Sequence, residues 1–422
     1  MSTLKGSNFT GRTIFIPTMS TGGARAVAAV FGSFGIQAAP TPPSDERTLA
    51  IGARYTSGDE CYPEKITIGD ALRLLEDGAD PRKVAFFMPT TLGPCRFGQY
   101  SQLLRKVLND NGYGEAMIVS PSSADGYGDI GGNPTALMRS AWRAIVASDL
   151  VRKLLLHTRP YELSHGASDR AYAVSLDDLC AVLSKPPNKM KVQLGEMVAS
   201  LTRARDRFRK IPRKDGDGIL LVGVVGEIFC RLNAFSNEDV IRKLEAQGAE
   251  AWLSDISEWI WYTHSERQRK LRLADERFSM EMLKAKIKGL FMHKDEHALL
   301  LPLQDDLRGR EESEIEDLMD HGRPYLPQEG AMGEMVVSIG KAVYLYEKGV
   351  DGILDISPFT CMNGIVSEAI YPRVAKRCQG LPIRNFYFDG TQGDLDRDLG
   401  IFLELCRSYQ RRKSRNPPHP GR

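Results

Sequence analysis

What most limits the fold of this chain is an alternation of short apolar runs with helical stretches, and the alternation occurs twice. Near the N-terminus, Thr13–Pro17 (TIFIP) is short and apolar. Gly22–Phe34 has the spacing of an Ala/Val-rich amphipathic helix, and Leu49–Ala53 is a second short run that suits a strand. Ile66–Glu76 reads as a helix, Val84–Met88 (VAFFM) as a buried strand, Ser101–Leu108 as a helix and Ala116–Ser120 as a strand. Pro134 to about Arg213 is mostly helical. The alternation restarts after the turn signal KDGDG at Lys214–Gly218, with strands Gly218–Val225 and Glu250–Leu253 around helix Glu238–Gln247. Helix Met335–Lys348, strand Gly352–Ile356, helix Glu368–Arg377, strand Ile383–Phe388 and helix Asp396–Ser408 follow. Strand and helix in alternation imply βαβ units and parallel sheets. The expected fold is therefore α/β, with two Rossmann-like lobes and helical insertions. The first lobe is placed at 1–150, a helical connector at 151–215 and the second lobe at 216–408, with a helical insertion at about 257–340. The Pro-rich basic end, 409–422, reads as a disordered tail.

Charge narrows the function. Lys plus Arg number 56 against 54 Asp plus Glu, a net charge of +2. A dedicated nucleic-acid binder usually carries a large basic excess, so none is expected as a partner. No run of about 18 apolar residues suggests a membrane helix. MSTLKGSNFTGR lacks the apolar core of a signal peptide, so the expected compartment is the cytoplasm.

Seven cysteines in a reducing compartment are thiols rather than disulfides. None stands in a C-x-x-C pair, so zinc ribbons and thioredoxin-type centres fail on spacing. Ligands in open α/β sheets sit beyond the carboxyl ends of strands, and that rule sorts the cysteines. Cys95 (GPCRFGQY) follows VAFFM, Cys361 (PFTCMNG) follows GILDI, and Cys61 (GDECYPEK) precedes a helix. All three stand on loops ahead of helix N-termini, where a thiolate is favoured. Cys180, Cys378 and Cys406 fall inside apparent helices and read as packing residues. Cys230 is intermediate. Three loop thiolates are the ligand number of a cubane with one open iron; three unrelated packing cysteines are the alternative.

The segments SGDECYPEKITIGD, AFFMPTTLGPCRFGQYSQLLRKVL, GEIFCRLNAFSNEDVIRKLEAQGAE and ISPFTCMNGIVSEA resemble the 2-hydroxyacyl-CoA dehydratase superfamily. The resemblance is to the branch found as the C-terminal part of acyl-CoA dehydratase activase-related proteins, and runs from about Thr13 to Cys406. The superfamily also includes the double-cubane proteins and the benzoyl-CoA reductase cluster subunits. The resemblance implies a [4Fe–4S] cluster held by Cys61, Cys95 and Cys361, and low-potential electrons delivered by a separate ATP-dependent activase. It implies reduction or dehydration of a CoA-linked or small substrate; a non-catalytic electron carrier or scaffold for the activase is the alternative. The reaction, the substrate and the oligomeric state stay open, and no CoA pocket is legible. A double cubane needs six cysteine ligands, and four of the seven cysteines lie outside the ligand-like loops.

Around that centre, Arg96 stands ready to offset a reduced cluster's negative charge, and Gln99 and Tyr100 to donate hydrogen bonds to its sulfides. Glu60 and Glu64 flank Cys61 as weaker candidates for a fourth ligand. Glu227, in GEIFCRLN after a buried strand, fits a site-facing loop. The glycines of TMSTGGARAVAAVF suit a phosphate cradle or an ordinary βα turn, and there is no Walker A motif. RPYE at Arg159–Glu162 suggests an interdomain ion pair. His293 and His297 are four apart on an apparent helix and read as part of a solvated face.

Overall fold

The computed structural model describes residues 9–91, 95–121, 134–186, 190–327, 333–391 and 393–415. In chain order the elements are β1 (Thr13–Ile16), α1 (Thr21–Ser33), β2 (Ala38–Pro40), α2 (Glu46–Arg54), α3 (Tyr62–Glu76), β3 (Val84–Phe87), α4 (Tyr100–Asp110) and β4 (Met117–Val119). Three helices follow: α5 (Pro134–Thr158), α6 (Ala167–Leu183) and α7 (Met190–Arg209). Next come β5 (Leu220–Gly226), α8 (Ile228–Leu232), α9 (Val240–Ala246), β6 (Ala249–Leu253), α10 (Ile256–Leu273), α11 (Met280–Leu300) and α12 (Ile315–Gly322). The last are α13 (Glu334–Glu347), β7 (Gly352–Pro358), α14 (Met362–Arg377), β8 (Ile383–Phe388) and α15 (Leu395–Arg415).

The fold is α/β, with two four-stranded, all-parallel sheets flanked by helices. Strand order is β2-β1-β3-β4 in one and β6-β5-β7-β8 in the other. In each, the first strand of the set lies between the second and the third. Ile14 pairs with Ala38 on one side and Ala85 on the other; Val224 pairs with Leu253 and Leu354. This order reverses direction between the first and third strands, the place where open α/β sheets hold ligands.

The chain divides into two compact units. Unit 1 comprises Met1–Arg152, Arg170–Arg207 and Arg267–Asp305, and unit 2 comprises Lys153–Asp169, Phe208–Glu266 and Asp306–Arg422. Each is assembled from three stretches of chain. In unit 1 the later stretches are tied in by polar contacts: Asp295 of α11 receives Arg139 at 2.6 Å and Arg143 at 2.9 Å, both from α5. Trp142 donates its indole N–H to the carbonyl of Met292 at 3.3 Å. The helical stretches expected at 151–215 and 257–340 thus contribute to both units.

Two segments differ from the sequence expectation. Leu49–Ala53 lies within helix α2, and the second strand of the sheet is Ala38–Pro40 instead. Asp45 caps α2 by accepting the Thr48 amide at 2.9 Å, and Thr48, Ile51 and Gly52 face inward with helical spacing. The helix then lies directly on α3. A methyl group on Gly52 would meet the carbonyl oxygen of Lys65 at 2.1 Å, and one on Gly69 would meet that of Thr48 at 2.1 Å. Only glycine allows this approach, which fixes the start of α3 against α2. At the other end of the chain, α15 continues to Arg415, so 409–415 are helical. Tyr409 is buried, and Lys413 and Gln410 hold Asp351 at 2.8 and 3.0 Å. Residues 416–422 of the expected tail lie outside the described residues.

The TMSTGGAR turn is a βα connection in which Ser20 caps α1. Gly22 lies under the Tyr172 hydroxyl, 2.6 Å from where a Cβ would stand, so at least this glycine serves helix packing. Among the described residues no helix is long and apolar enough to cross a membrane.

Candidate functional site

In unit 1 the sequence candidates come together. Cys61 is the N-cap of α3, with a proline in the first turn, and Cys95 is the N-cap of the short 3-10 turn Arg96–Gln99 that leads into α4. Both therefore stand where backbone N–H groups point outward from a helical start. The turn after Cys95 reaches back to the Cys61 loop by two contacts. The Tyr100 hydroxyl lies 2.6 Å from the Cys61 sulfur, and the Arg96 guanidinium donates to the carbonyl of Asp59. Tyr100 is buried in the core of the unit, where its ring meets the edge of Phe97 with centroids 5.3 Å apart. A rigid, apolar platform thus carries a polar group to Cys61. Cys61 is half-buried and Cys95 is exposed. Gln99 is exposed at the N-cap of α4.

The two acids beside Cys61 behave differently. Glu60 accepts the amides of Ser57 at 2.8 Å and Gly58 at 3.1 Å, so its carboxylate is used in closing its own loop. Burial pushes its pKa up, but those hydrogen bonds outweigh the penalty and hold it below the ordinary value. Glu64, only 3% exposed, is pushed up to about 7 by burial and by the charge of Glu60, with Arg96 opposing.

In unit 2 the switch point between β5 and β7 carries a second set of groups. Cys361 is the N-cap of α14, and Glu227 is the N-cap of α8. The Glu227 carboxylate accepts the amides of Phe229 at 3.0 Å and Cys230 at 2.8 Å. Glu334, in the first turn of α13, accepts the amide of Ile228 at 2.9 Å. Two carboxyl groups, Glu334 buried and Glu227 half-buried, therefore share the start of one short helix. Burial raises both; Glu334 is also raised by the charge of Glu227 and reaches about 8, with Arg231 opposing. Asp355 on β7 is fully buried and accepts hydroxyl hydrogen bonds from Tyr371 at 2.5 Å and Ser357 at 3.0 Å. Burial pushes it up to about 6. The Cys361 thiol is pushed well above the ordinary range by burial first and by Glu227 second, against the amides of Gly364 and Asn363. Gly226, at φ +110°, makes the bend into Glu227, and a Cβ there would meet the Ile356 carbonyl at 2.1 Å.

Sequence reasoning placed Glu227 at a site-facing loop but missed Glu334, Asp355 and Tyr371. An acid before the apolar run MVVSIGKAV signals only a helix start, and Asp355 sits inside a strand that otherwise reads as apolar. RPYE also resolves differently from the interdomain pair expected. Within unit 2, Arg159 pairs with Glu245 at 2.6 Å and Asp169 at 3.1 Å. Tyr161 donates to Glu250 at 2.6 Å, and Arg310 and His157 complete the set around Glu250 at 2.7 and 3.0 Å. These partners outweigh the cost of burial and hold the Glu250 carboxyl down at about 2.

The seven cysteines form no disulfide. Cys230, Cys378 and Cys406 are buried, and Cys180 is half-buried within α6. No cluster of three or more His, Cys, Asp or Glu side chains is close enough to hold a metal ion among the described residues. The donor chemistry nonetheless suits an iron–sulfur cluster at the two cysteines of unit 1. Both are soft sulfur ligands at helical N-termini, with the Tyr100 hydroxyl beside the Cys61 sulfur and the Arg96 guanidinium on the Asp59 carbonyl of the same loop. Cys361 offers the same N-cap position in unit 2. No protein-family model matches this chain, and no curated protein matches it significantly.

Proposed function

We propose that this chain is an iron–sulfur protein resembling components of 2-hydroxyacyl-CoA dehydratases. In this reading it receives low-potential electrons from an ATP-dependent activase and reduces or dehydrates a CoA-linked or small substrate. The cysteines that the resemblance assigns as its thiolate ligands are Cys61, Cys95 and Cys361. One observation carries the reading: each of these three cysteines, chosen from sequence, occupies the N-cap of a helical segment. At Cys61 and Cys95 an N-cap thiol faces the positive end of a helical dipole, which favours the thiolate that binds iron. At Cys361 burial and Glu227 oppose that effect, so iron would have to displace its proton. Bound there, a [4Fe–4S] cluster would supply one-electron chemistry at low potential.

The chain's own residues have separate tasks in this reading. Tyr100, whose hydroxyl lies beside the Cys61 sulfur, would donate its proton to the Cys61 thiolate and orient that ligand. Arg96 braces the Cys61 loop through Asp59 while placing a positive charge beside the site. Glu227 and Glu334 hold the start of α8 through the amides of Phe229, Cys230 and Ile228, and their charge bears on Cys361.

The test is iron and acid-labile sulfide per chain after anaerobic reconstitution. About four of each, lost in Cys95→Ala and retained in Cys406→Ala, is the expected result. About eight of each revives the double-cubane form. None, in the unaltered chain, removes the reading. Oxidation of the reduced cluster on adding an acyl-CoA separates an enzyme from an electron carrier.

A further inference from the structure

Helix α11 (Met280–Leu300) is apolar on two opposite faces. One face packs inward through Met282, Ala285, Gly289, Met292 and Leu299. The other carries Met280, Leu283, Ile287 and Leu290, whose side chains are 65, 49, 45 and 71% exposed. Their spacing of three, four and three residues is the a/d seam of a helix that pairs with another helix. An amphipathic helix on a globular surface needs only one such stripe, and a helix apolar all round is ordinarily covered. Scattered exposed apolar residues need no explanation, but four at regular spacing form a contiguous strip.

The charges beside the strip say what covers it. The flanking e and g positions are Lys284, Lys286, Phe291 and His293, with no carboxylate among them. Lys294 continues the seam at its next position. The nearest acid on this side, Glu281, is engaged by Lys284 and Arg267, both at 2.8 Å. A second copy of α11 would set lysine against lysine across the seam. A helix with Asp or Glu at its e and g positions would pair with them.

We propose that the outward face of α11 docks an amphipathic helix of a partner protein that carries acidic residues on both sides of its own apolar stripe. The proposal is independent of the cluster assignment. It is tested on the full chain by fluorescence anisotropy, with two labelled synthetic 21-residue helices. Both have Leu at a and d; one has Glu at e and g, the other Lys. The acidic helix should bind at micromolar concentration and at least tenfold tighter than the basic one. Ile287→Asp with Leu290→Asp should weaken it at least tenfold, and Lys284→Glu with Lys286→Glu should reverse the preference. These side chains are exposed, and circular dichroism checks that each variant is folded. Equal binding of the two peptides, or binding of neither, overturns the proposal. So does a dimer in sedimentation velocity, or flotation with phosphatidylglycerol vesicles, that the Ile287→Asp, Leu290→Asp variant abolishes; these would assign the face to a second copy or to lipid.

Discussion

The two sheets follow one strand order, yet the loops after their third strands set a cysteine in opposite surroundings. After β3, Cys95 is exposed, with a guanidinium on the adjacent residue. After β7, Cys361 lies near Glu227 and Glu334, and burial and negative charge keep its proton on. Each thiol stands at the N-cap of a helical segment, so the position in the fold is the same. The difference comes from solvent access and from the neighbours supplied by other elements: α3 and its loop in unit 1, α8 and α13 in unit 2. Topology gives the place for a ligand, while the elements packed around that place decide the protonation state.

Four measurements sharpen or break this comparison. The largest contrast is expected in alkylation of the cluster-free protein. Cys95 should react with iodoacetamide roughly 100-fold faster than Cys361 at pH 7.5, because the reactive species is an accessible thiolate. Peptide mapping by mass spectrometry reads the two rates, and equal rates would erase the distinction.

The second concerns how unit 2 buries charge. Lys341 is fully buried and forms ion pairs with Glu258 at 2.8 Å and with Glu312, which also meets Lys153 at 2.5 Å. Burial opposes the charge on Lys341, but the two carboxylates outweigh it and hold the ammonium protonated. Lys341→Met leaves two carboxylates without this partner and should cost about 3–5 kcal/mol in denaturant unfolding. A neutral outcome would mean that the network relaxes around the loss.

Unit 1 buries an acid differently, and this gives a pH test. Asp70 on α3 is 3% exposed and receives hydroxyl groups from Ser44 at 2.9 Å and Thr48 at 3.1 Å. Burial pushes its pKa from 3.8 up to about 7. The folded state therefore binds more protons than the unfolded chain between those values. Stability contributed by this group falls as pH rises through that window and stays low above it. Asp70→Asn should remove up to about 4 kcal/mol of that decline, so its melting temperature should gain on the parent's from pH 4 to pH 8. A parallel pH profile would show that Asp70 ionises without penalty.

The smallest effect expected is steric. Gly69→Ala forces a methyl group against the Thr48 carbonyl and should cost about 1–3 kcal/mol through overpacking. It should also disturb the start of α3, read as a changed near-ultraviolet signal from Tyr62 and Tyr100. A variant as stable as the parent would mean that α2 shifts freely.

The fold class was legible in the sequence because βαβ alternation is a local pattern, and VAFFM, GILLVGVV and GILDI each carry it. Leu49–Ala53 misled because five apolar and small residues suit either a strand or a helix. The decisive signals were the Asp45 cap and inward spacing that the run itself does not contain. Cys61, Cys95 and Cys361 were legible as pre-helical residues by the same local logic. The contact of Tyr100 with Cys61 joins residues 39 apart, and the acids at the start of α8 join residues 106 apart. No periodicity reports such pairings. Glu334 in particular reads as a helix-start acid until α8 is seen to begin upon it.

The discontinuous make-up of unit 1 has a consequence for synthesis on the ribosome. When the chain up to Gly226, the first sheet and one strand of the second, has emerged, Arg139 and Arg143 of α5 still lack Asp295, and Trp142 still lacks the Met292 carbonyl. The N-terminal unit therefore cannot finish its core until α11 has left the exit tunnel, by which point most of the β5–β6 half of unit 2 is already made. The two units must mature concurrently rather than in order, and a stop anywhere before Asp295 leaves a buried guanidinium waiting for its carboxylate.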